Sequence, residues 1–304
     1  MGASPLFPPK HTNAEAAKIE IEHIIGREPR QFQVDRSRWT LATLKQACEW
    51  LRQRSLAAIH RLLDKLEIAI KRGRWHIHSP DGDYTSKLAL IKTYQELAER
   101  DPERYALLYQ DEFTYYRQPS LNSDYAPRGR SQPLAELSYR SNTITRVIGT
   151  LDAGTGRVVH DQGWRTDIPM IVRFYEKVCQ TYPGLKLFIV QDNWPVHFHP
   201  DVLAALEPQE INPFGWRRPP NWPTEPSKHA RRLNLPIQLI VLPTYASWCN
   251  PIEKLWRLLK AEVLHHHRLA DKLTELRQQV TDFLASFSPS SQTLLRYVGL
   301  LHPI

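Results

Sequence analysis

Apolar positions recur at Leu41, Leu44, Ala47 or Cys48, and Leu51, the spacing of one helical face, with Thr40 placed to cap it; this predicts a helix over residues 39–51. After the break Arg52-Gln53-Arg54, the face repeats at Leu56, Ile59, Leu62, Leu63 and Leu66, with Ser55 as N-cap. Residues 68–71 and 74–77 alternate around Arg72-Gly73, a hairpin signal that would add a wing. Two short helices joined by about three residues match helix-turn-helix geometry. Upstream lies a mostly polar lead, 1–34, with a helix over 14–25. Downstream, Ser79-Pro80-Asp81-Gly82-Asp83 reads as a turn-rich linker and 85–100 as a helix, so 81–103 is expected to join two domains.

Beyond residue 104 the pattern alternates between strands and helices. Strands are expected over 105–110, 143–151 and 157–160, the last two flanking the turn Asp152-Ala153-Gly154-Thr155-Gly156. A helix over 169–181, a fully apolar strand over 185–190, a short helix over 200–206, a strand over 237–242 and helices over 250–264 and 271–287 follow. This α/β order, antiparallel first and parallel later, fits a ribonuclease-H-like catalytic domain over 104–268, preceded by a helical (winged) helix-turn-helix domain over 35–80 and followed by a helical tail over 269–304. The Pro-rich stretch at about 208–232 reads as an insertion, because a compact domain seldom needs so long a loop.

Composition narrows the class. In 304 residues, 41% hydrophobic and 10% aromatic content excludes global disorder. Cys48, Cys179 and Cys249 are too few and scattered for a disulfide framework or a thiolate metal site, and no stretch reaches the length of a membrane span. No charged segment followed by an apolar run opens the chain, so no signal peptide is expected. The expectation is a soluble cytoplasmic protein.

The formal charge of +8 matters only once it is located. Residues 36–78 carry ten Lys/Arg against three acids, and 213–232 five against one, so the rest of the chain is slightly acidic. The helical pattern alone fits a hairpin with a solvated basic face equally well; the local +7 favours a DNA reader. Arg52, Arg54, Ser55, His60, Arg61, Lys65, Lys71, Arg72 and Arg74 are its candidate contacts, phosphates giving affinity and the 55–66 helix any base readout.

Asp111 and Asp192 each follow an apolar strand and a Gln, and Glu253 lies in the first turn of the 250–264 helix. If the two strands are neighbours and the helix packs beside them, the three carboxylates converge. Oxygen ligands select Mg²⁺ or Mn²⁺, and two such ions would serve an in-line displacement at phosphorus. Each carboxylate also has a local reading: Asp111 and Asp192 as turn residues, Glu253 as part of a capping box with Asn250 at the N-cap and Pro251 at N1. Trp256 falls on the apolar stripe of its helix and reads as core. His265-His266-His267 reads as exposed.

The blocks Gln110-Asp111-Glu112, Gln191-Asp192-Asn193-Trp194-Pro195-Val196-His197, Leu242-Pro243-Thr244-Tyr245 and Asn250-Pro251-Ile252-Glu253-Lys254-Leu255-Trp256 resemble the mariner-type DDE transposases, most of all their bacterial insertion-sequence branch. Ser79-Pro80-Asp81 with Tyr84 and Lys87 resembles the junction between DNA-binding and catalytic parts in that branch. The resemblance implies a transposase that binds terminal inverted repeats, cleaves DNA with Mg²⁺ and joins 3′ ends to target DNA, usually at a TA dinucleotide. It implies Asp111, Asp192 and Glu253 as the metal-binding catalytic triad, Asn193, His197 and Asn250 as supporting residues, and Glu112 as structural. Double-stranded DNA and a second copy of the chain are the implied partners, and a nucleoid-associated bacterial protein the implied setting.

Three departures stand out. Asp192 and Glu253 are 61 positions apart, well beyond the family's usual gap, and the surplus coincides with the basic Pro-rich stretch. Ala246-Ser247-Trp248-Cys249 replaces the Ser-Pro and acidic residue expected after Tyr245. Only one helix-turn-helix unit is evident. Two alternatives remain at this level: a catalytically silent DNA-binding regulator derived from a transposase, and a ribonuclease-H-like nuclease without strand transfer.

Overall fold

The computed structural model describes residues 13–71, 78–129, 131–209, 214–216 and 218–301. Backbone contacts divide the chain into two compact units, 1–76 and 77–304.

The first unit is helical. α1 (Ala14–Ile25) is capped by the Asn13 side chain, which accepts from Ala16 N. α2 (Leu41–Ala47) carries a reciprocal capping box between Thr40 and Thr43, and α3 (Leu56–Lys65) is capped by Ser55. The expected 39–51 helix therefore stops early: Cys48 is extended, and Glu49–Leu51 forms a single 3₁₀ turn. Ala17, Ile21 and Ile24 of α1 share one core with Leu44, Leu51, Ile59 and Leu62. The lead is thus no separate arm, since its apolar stripe needs α2 and α3 for burial. Residues 68–71 form no strand, and the remainder of the expected wing, 72–77, lies outside the described residues.

The second unit is built on one five-stranded sheet of order β3-β2-β1-β4-β5. β1 (Tyr105–Tyr116), β2 (Ile144–Asp152) and β3 (Val158–Gly163) run antiparallel, while β4 (Lys186–Gln191) and β5 (Ile237–Val241) are parallel to β1. The turn from β2 to β3 depends on Gly156: its φ is +70°, and a Cβ there would stand 2.4 Å from the Ser291 carbonyl oxygen.

Period-two alternation sorts β1 between two cores. Leu107, Tyr109, Phe113 and Tyr115 face a cluster shared with α4 (Tyr84–Arg100), α7 (Ile252–Leu259), α8 (Leu273–Ala285) and α9 (Gln292–Val298). Ala106 and Leu108 face a second cluster shared with α5 (Ile168–Thr181) and the short α6 (Pro200–Leu203). Two expectations change. The linker helix is α4, whose Ile91 packs into the first cluster, and the helical tail is α8 and α9, whose Leu276, Val280, Leu284, Leu294 and Val298 complete it. A sheet with an apolar face on each side must be covered on both.

A candidate active site of three carboxylates

Parallel pairing brings β1 and β4 together, with Tyr109 opposite Val190 as the last bridged pair. Asp111 and Asp192 lie two residues further along their chains, just beyond the end of this parallel pairing; β1 itself continues to Tyr116, so Asp111 lies inside the strand opposite Gly149 of β2 rather than after a strand ending at residue 110 as expected. Asp111 falls on the α7 side by alternation, and the Trp256 indole of α7 donates from Nε1 to its Oδ2 at 2.9 Å. Trp256 is buried and stacks on Phe113, so the predicted core residue also grips the catalytic candidate. Gly149 on β2 makes room for it: a Cβ there would come within 2.8 Å of the indole ring.

Asp192 closes a tight turn, its Oδ1 accepting the Trp194 amide at 2.9 Å. His197, almost fully buried, sets Nε2 at 3.7 Å from that same oxygen and at 3.5 Å from Glu112 Oε1. Glu112 sits on the opposite face of β1 from Asp111 and receives Gln110 Nε2 at 3.4 Å, while Tyr175 donates to Gln191 at 3.0 Å. A polar layer therefore backs the site inside the α5 core. Asn193 turns away from the carboxylates and donates from Nδ2 to the Leu242 carbonyl at 2.7 Å.

Glu253 is not held in a capping box. The N-cap of α7 is Pro251, without a side-chain bond, and the buried Asn250 amide instead donates to the Gln110 carbonyl at 3.0 Å. Asn250 thereby pins the start of α7 to the strand bearing Asp111, and among the described residues the Glu253 carboxylate has no hydrogen-bond partner.

The electrostatics agree with convergence. Burial, then Glu253, then Glu112 push the Asp111 carboxyl up to about 8, against the Trp256 donor. Burial raises Asp192, opposed by the Trp194 amide and His197. Burial also raises Glu253, opposed by Lys260 and Arg257, with Asp192 adding to the rise. For His197 burial alone would lower the value, but Glu112 and Asp192 outweigh it and hold the imidazole above its ordinary range.

Carboxylates held in mutual repulsion, with an all-oxygen donor set, fit a hard divalent cation. Among the described residues no group of three His, Cys, Asp or Glu forms a ready cage for one ion. Mg²⁺ does not require one, because it keeps several waters and is bound through one or two carboxylates with substrate phosphate oxygens.

The loop from β5 to α7 is fixed from a further side. Asp81, buried, accepts from Lys87 Nζ at 2.7 Å and from the Thr244 amide at 2.7 Å, while Ser79 Oγ donates to the Thr244 carbonyl at 2.5 Å. Tyr84 receives Trp248 Nε1 at 3.3 Å and touches Cys249 Sγ. The supposed turn-rich linker is therefore a clasp on the loop that delivers Asn250 and Glu253. An Asp and a Lys six residues apart, across a helix start, were the sequence signal for it. His265 and His266 are also engaged rather than free: Ser120 Oγ lies 2.8 Å from His265 Nδ1, and Asn122 N donates to His266 Nε2 at 3.0 Å.

In the first unit, Arg52, His60, Arg61, Lys65 and Lys71 are exposed, Arg54 is half-buried and Ser55 is occupied as the N-cap. Arg72 and Arg74 lie outside the described residues. No described helix is long and apolar enough to cross a membrane.

Residues 106–277 match the family described as DDE superfamily endonuclease. The chain is 22% identical over 273 residues to the insertion element IS630 uncharacterized 39 kDa protein of Shigella sonnei, covering 88% of this chain and 70% of that protein. Among solved structures, the Mos1 transposase paired-end complex with left transposon end superposes with a TM-score of 0.59 at 14% identity, covering 98% of this chain and 77% of that one. The Mos1 mariner paired end complex with Mn gives 0.58 at 15%, with the same coverage. At these identities the structural likeness establishes a shared fold, the mixed α/β architecture with its five-stranded sheet.

Proposed function

Because the chain belongs to the DDE superfamily endonuclease family, we propose that it is the transposase of a mariner-type insertion sequence of the IS630 kind, which binds terminal inverted repeats, cleaves DNA and joins the 3′ ends to target DNA. What supports this reading is that Asp111 and Asp192, from separate sequence blocks, lie just beyond the last β1–β4 bridge, and that Glu253 of a third block interacts electrostatically with each of them.

These three side chains would hold divalent Mg²⁺ or Mn²⁺, two ions in the fullest form of the reading. When bound, the metal supplies Lewis-acid charge for the scissile phosphate and a lower pKa for the attacking water or 3′-hydroxyl. The protein's own part is orientation. Trp256 holds one oxygen of Asp111, and the Trp194 amide with His197 holds one of Asp192. Asn250 and the Asp81 clasp fix the approach of Glu253. Fixed ligand geometry matters because a displacement of about 1 Å in such a site costs on the order of 10²-fold in rate.

The first unit is the proposed reader, with α3 presenting His60, Arg61 and Lys65 and with Arg52, Arg54 and Lys71 on phosphates. Dimerisation on DNA belongs to the same proposal, since two ends must be brought together.

The test is strand cleavage and end joining on a duplex carrying the gene's flanking repeats, with Mg²⁺, comparing wild type with Asp192→Asn and Glu253→Gln. Loss of both products in the variants is expected. Equal cleavage by Asp192→Asn overturns the mechanism, cut ends without joined products reduce it to a nuclease, and repeat binding without cleavage by wild type leaves a regulator.

A further inference from the structure

The stretch that lengthens the gap between Asp192 and Glu253 is neither helix nor strand in its described part, yet it is fastened along its length. Beside its root, Gln209 covers the free edge of β5, accepting from Leu239 N at 2.9 Å and donating to the Ile237 carbonyl at 3.0 Å. Trp216 packs on Phe198 with ring centroids 4.4 Å apart, and Trp222 on His199 at 5.1 Å. Ser227 donates from both N and Oγ to the two oxygens of Asp201, at 2.6 and 2.8 Å. Arg231 grips Glu176 of α5 with both guanidinium ends. Four prolines within 214–232 reduce the entropy lost in holding this course.

This fastening has an electrostatic consequence. Of the acids of the underlying helices that the segment reaches, Glu176 is paired with Arg231, while Asp201 is held by the neutral donors of Ser227, which do not offset its charge. Arg218, Lys228 and Arg232 remain exposed, with Glu225 as the segment's one carboxylate. Among the described residues neither Lys228 nor Arg232 has an ion pair, and Arg218 reaches only the Pro223 and Thr224 carbonyls, at 3.4 and 3.3 Å. The segment is therefore a pre-formed cationic strap.

Its location gives the strap a task. Phe214, Gly215 and Trp216 wall a cavity of about 510 Å³ whose other walls include Asn193, Pro195, Thr244 and Tyr245. Asn193 directly follows Asp192, and Arg218 stands two residues from Trp216. The three carboxylates repel a polyanion, so a substrate phosphate reaches them more readily if its neighbours are held by fixed positive charge close by.

We propose that residues 218–232 form a second DNA-contact surface, a track of fixed positive charge in which Arg218, next to the Asn193 cavity, and Lys228 and Arg232, further along towards the start of β5, hold backbone phosphates of the duplex. The surface adds sequence-independent affinity and local alignment, while the first unit reads the repeat. This inference rests on the transposase reading, and its test is kept separable from it.

The experiment measures binding of the full chain to a duplex carrying one flanking repeat and its neighbouring DNA, in the Asp192→Asn background so that no cleavage intervenes. Observed affinity is followed against salt for the parent and for R218Q/K228Q/R232Q. The slope of log K against log salt is expected to fall by roughly 0.9 for each phosphate no longer neutralised, about 2–3 in total. The double variant K228Q/R232Q, which leaves the Arg218 carbonyl bonds intact, is expected to lose about 1–2 and guards against a folding defect in the triple. Unchanged slopes in folded variants overturn the strap as a DNA surface. Failure of wild type to cleave with Mg²⁺ would instead count against the transposase reading and leave the slope result standing.

Discussion

The indole Nε1 of Trp256 donates to Oδ2 of Asp111 at 2.9 Å, across the boundary between α7 and β1. One residue thus fills the core and fixes a carboxylate of the candidate site. Trp256→Phe keeps the stack on Phe113 and removes the donor. A hydrogen bond to a charged group contributes about 1.5–3 kcal/mol, so Trp256→Phe should lower Tm, and single-turnover cleavage should fall roughly 10- to 100-fold even at a temperature where the variant is fully folded. Gly149→Ala, which drives a methyl into the same ring, should lower both activity and Tm. Wild-type cleavage by Trp256→Phe would show that the bond does not matter.

The Asp111 carboxyl, raised to about 8 chiefly by burial and by Glu253, makes the metal-free protein sensitive to pH. A group whose folded value lies above its unfolded one favours the fold below the unfolded value and loses that contribution as pH rises through the folded value. Metal-free stability should therefore decline from about pH 4 to about pH 8, and Mg²⁺ should flatten the decline. Asp111→Asn should remove most of it and raise the metal-free Tm at pH 8. Urea titrations in EDTA and in Mg²⁺ measure this directly.

Asp81 behaves in the opposite sense. Burial alone would raise its carboxyl, but Lys87 and the Thr244 and Asp83 amides outweigh burial and hold it well below the usual carboxylate range. Its contribution is present above the unfolded value and is lost as pH falls below about 4. Lys87→Met strands a buried carboxylate and should cost about 3–5 kcal/mol at pH 7, seen as a lower urea midpoint. Lys87→Arg should recover part of the loss. A neutral effect of Lys87→Met would mean that the clasp does not hold the β5–α7 loop.

Asn250→Ala removes the tie from α7 to the Gln110 carbonyl and leaves that acceptor unsatisfied, at about 1–3 kcal/mol. The stability loss should be accompanied by slower cleavage, because Glu253 is only three residues away. Cleavage unchanged at a temperature where the variant is fully folded would separate the two roles.

On the first unit, Arg61→Ala and Lys65→Ala should each weaken repeat binding and reduce the salt slope by about 1. His60→Ala should change preference among repeat sequences more than it changes the slope. Fluorescence anisotropy across a salt series distinguishes these outcomes.

Local periodicity determined much of this protein. Alternation and helical spacing place the order of strands and helices, the caps at Thr40 and Ser55, and Asp192 at the end of β4, because each depends on which face a residue presents over a few turns; β1 instead runs on through Asp111 to Tyr116, a length its partner β2 decides. Alternation also separates Asp111 from Glu112. What it could not decide is pairing between distant segments. Parallel register of β1 with β4 set Asp111 and Asp192 at equivalent positions just beyond the last bridged pair. The Asn250 amide went to Gln110 rather than to the helix end, since a buried strand carbonyl beside it needed a donor. Asp81 and Lys87 became a buried clasp, α1 joined the helical core, and α8 and α9 covered the sheet. The sequence supplied surfaces and charges; the tertiary structure chose their partners, because burial and hydrogen-bond satisfaction are settled only when distant segments meet.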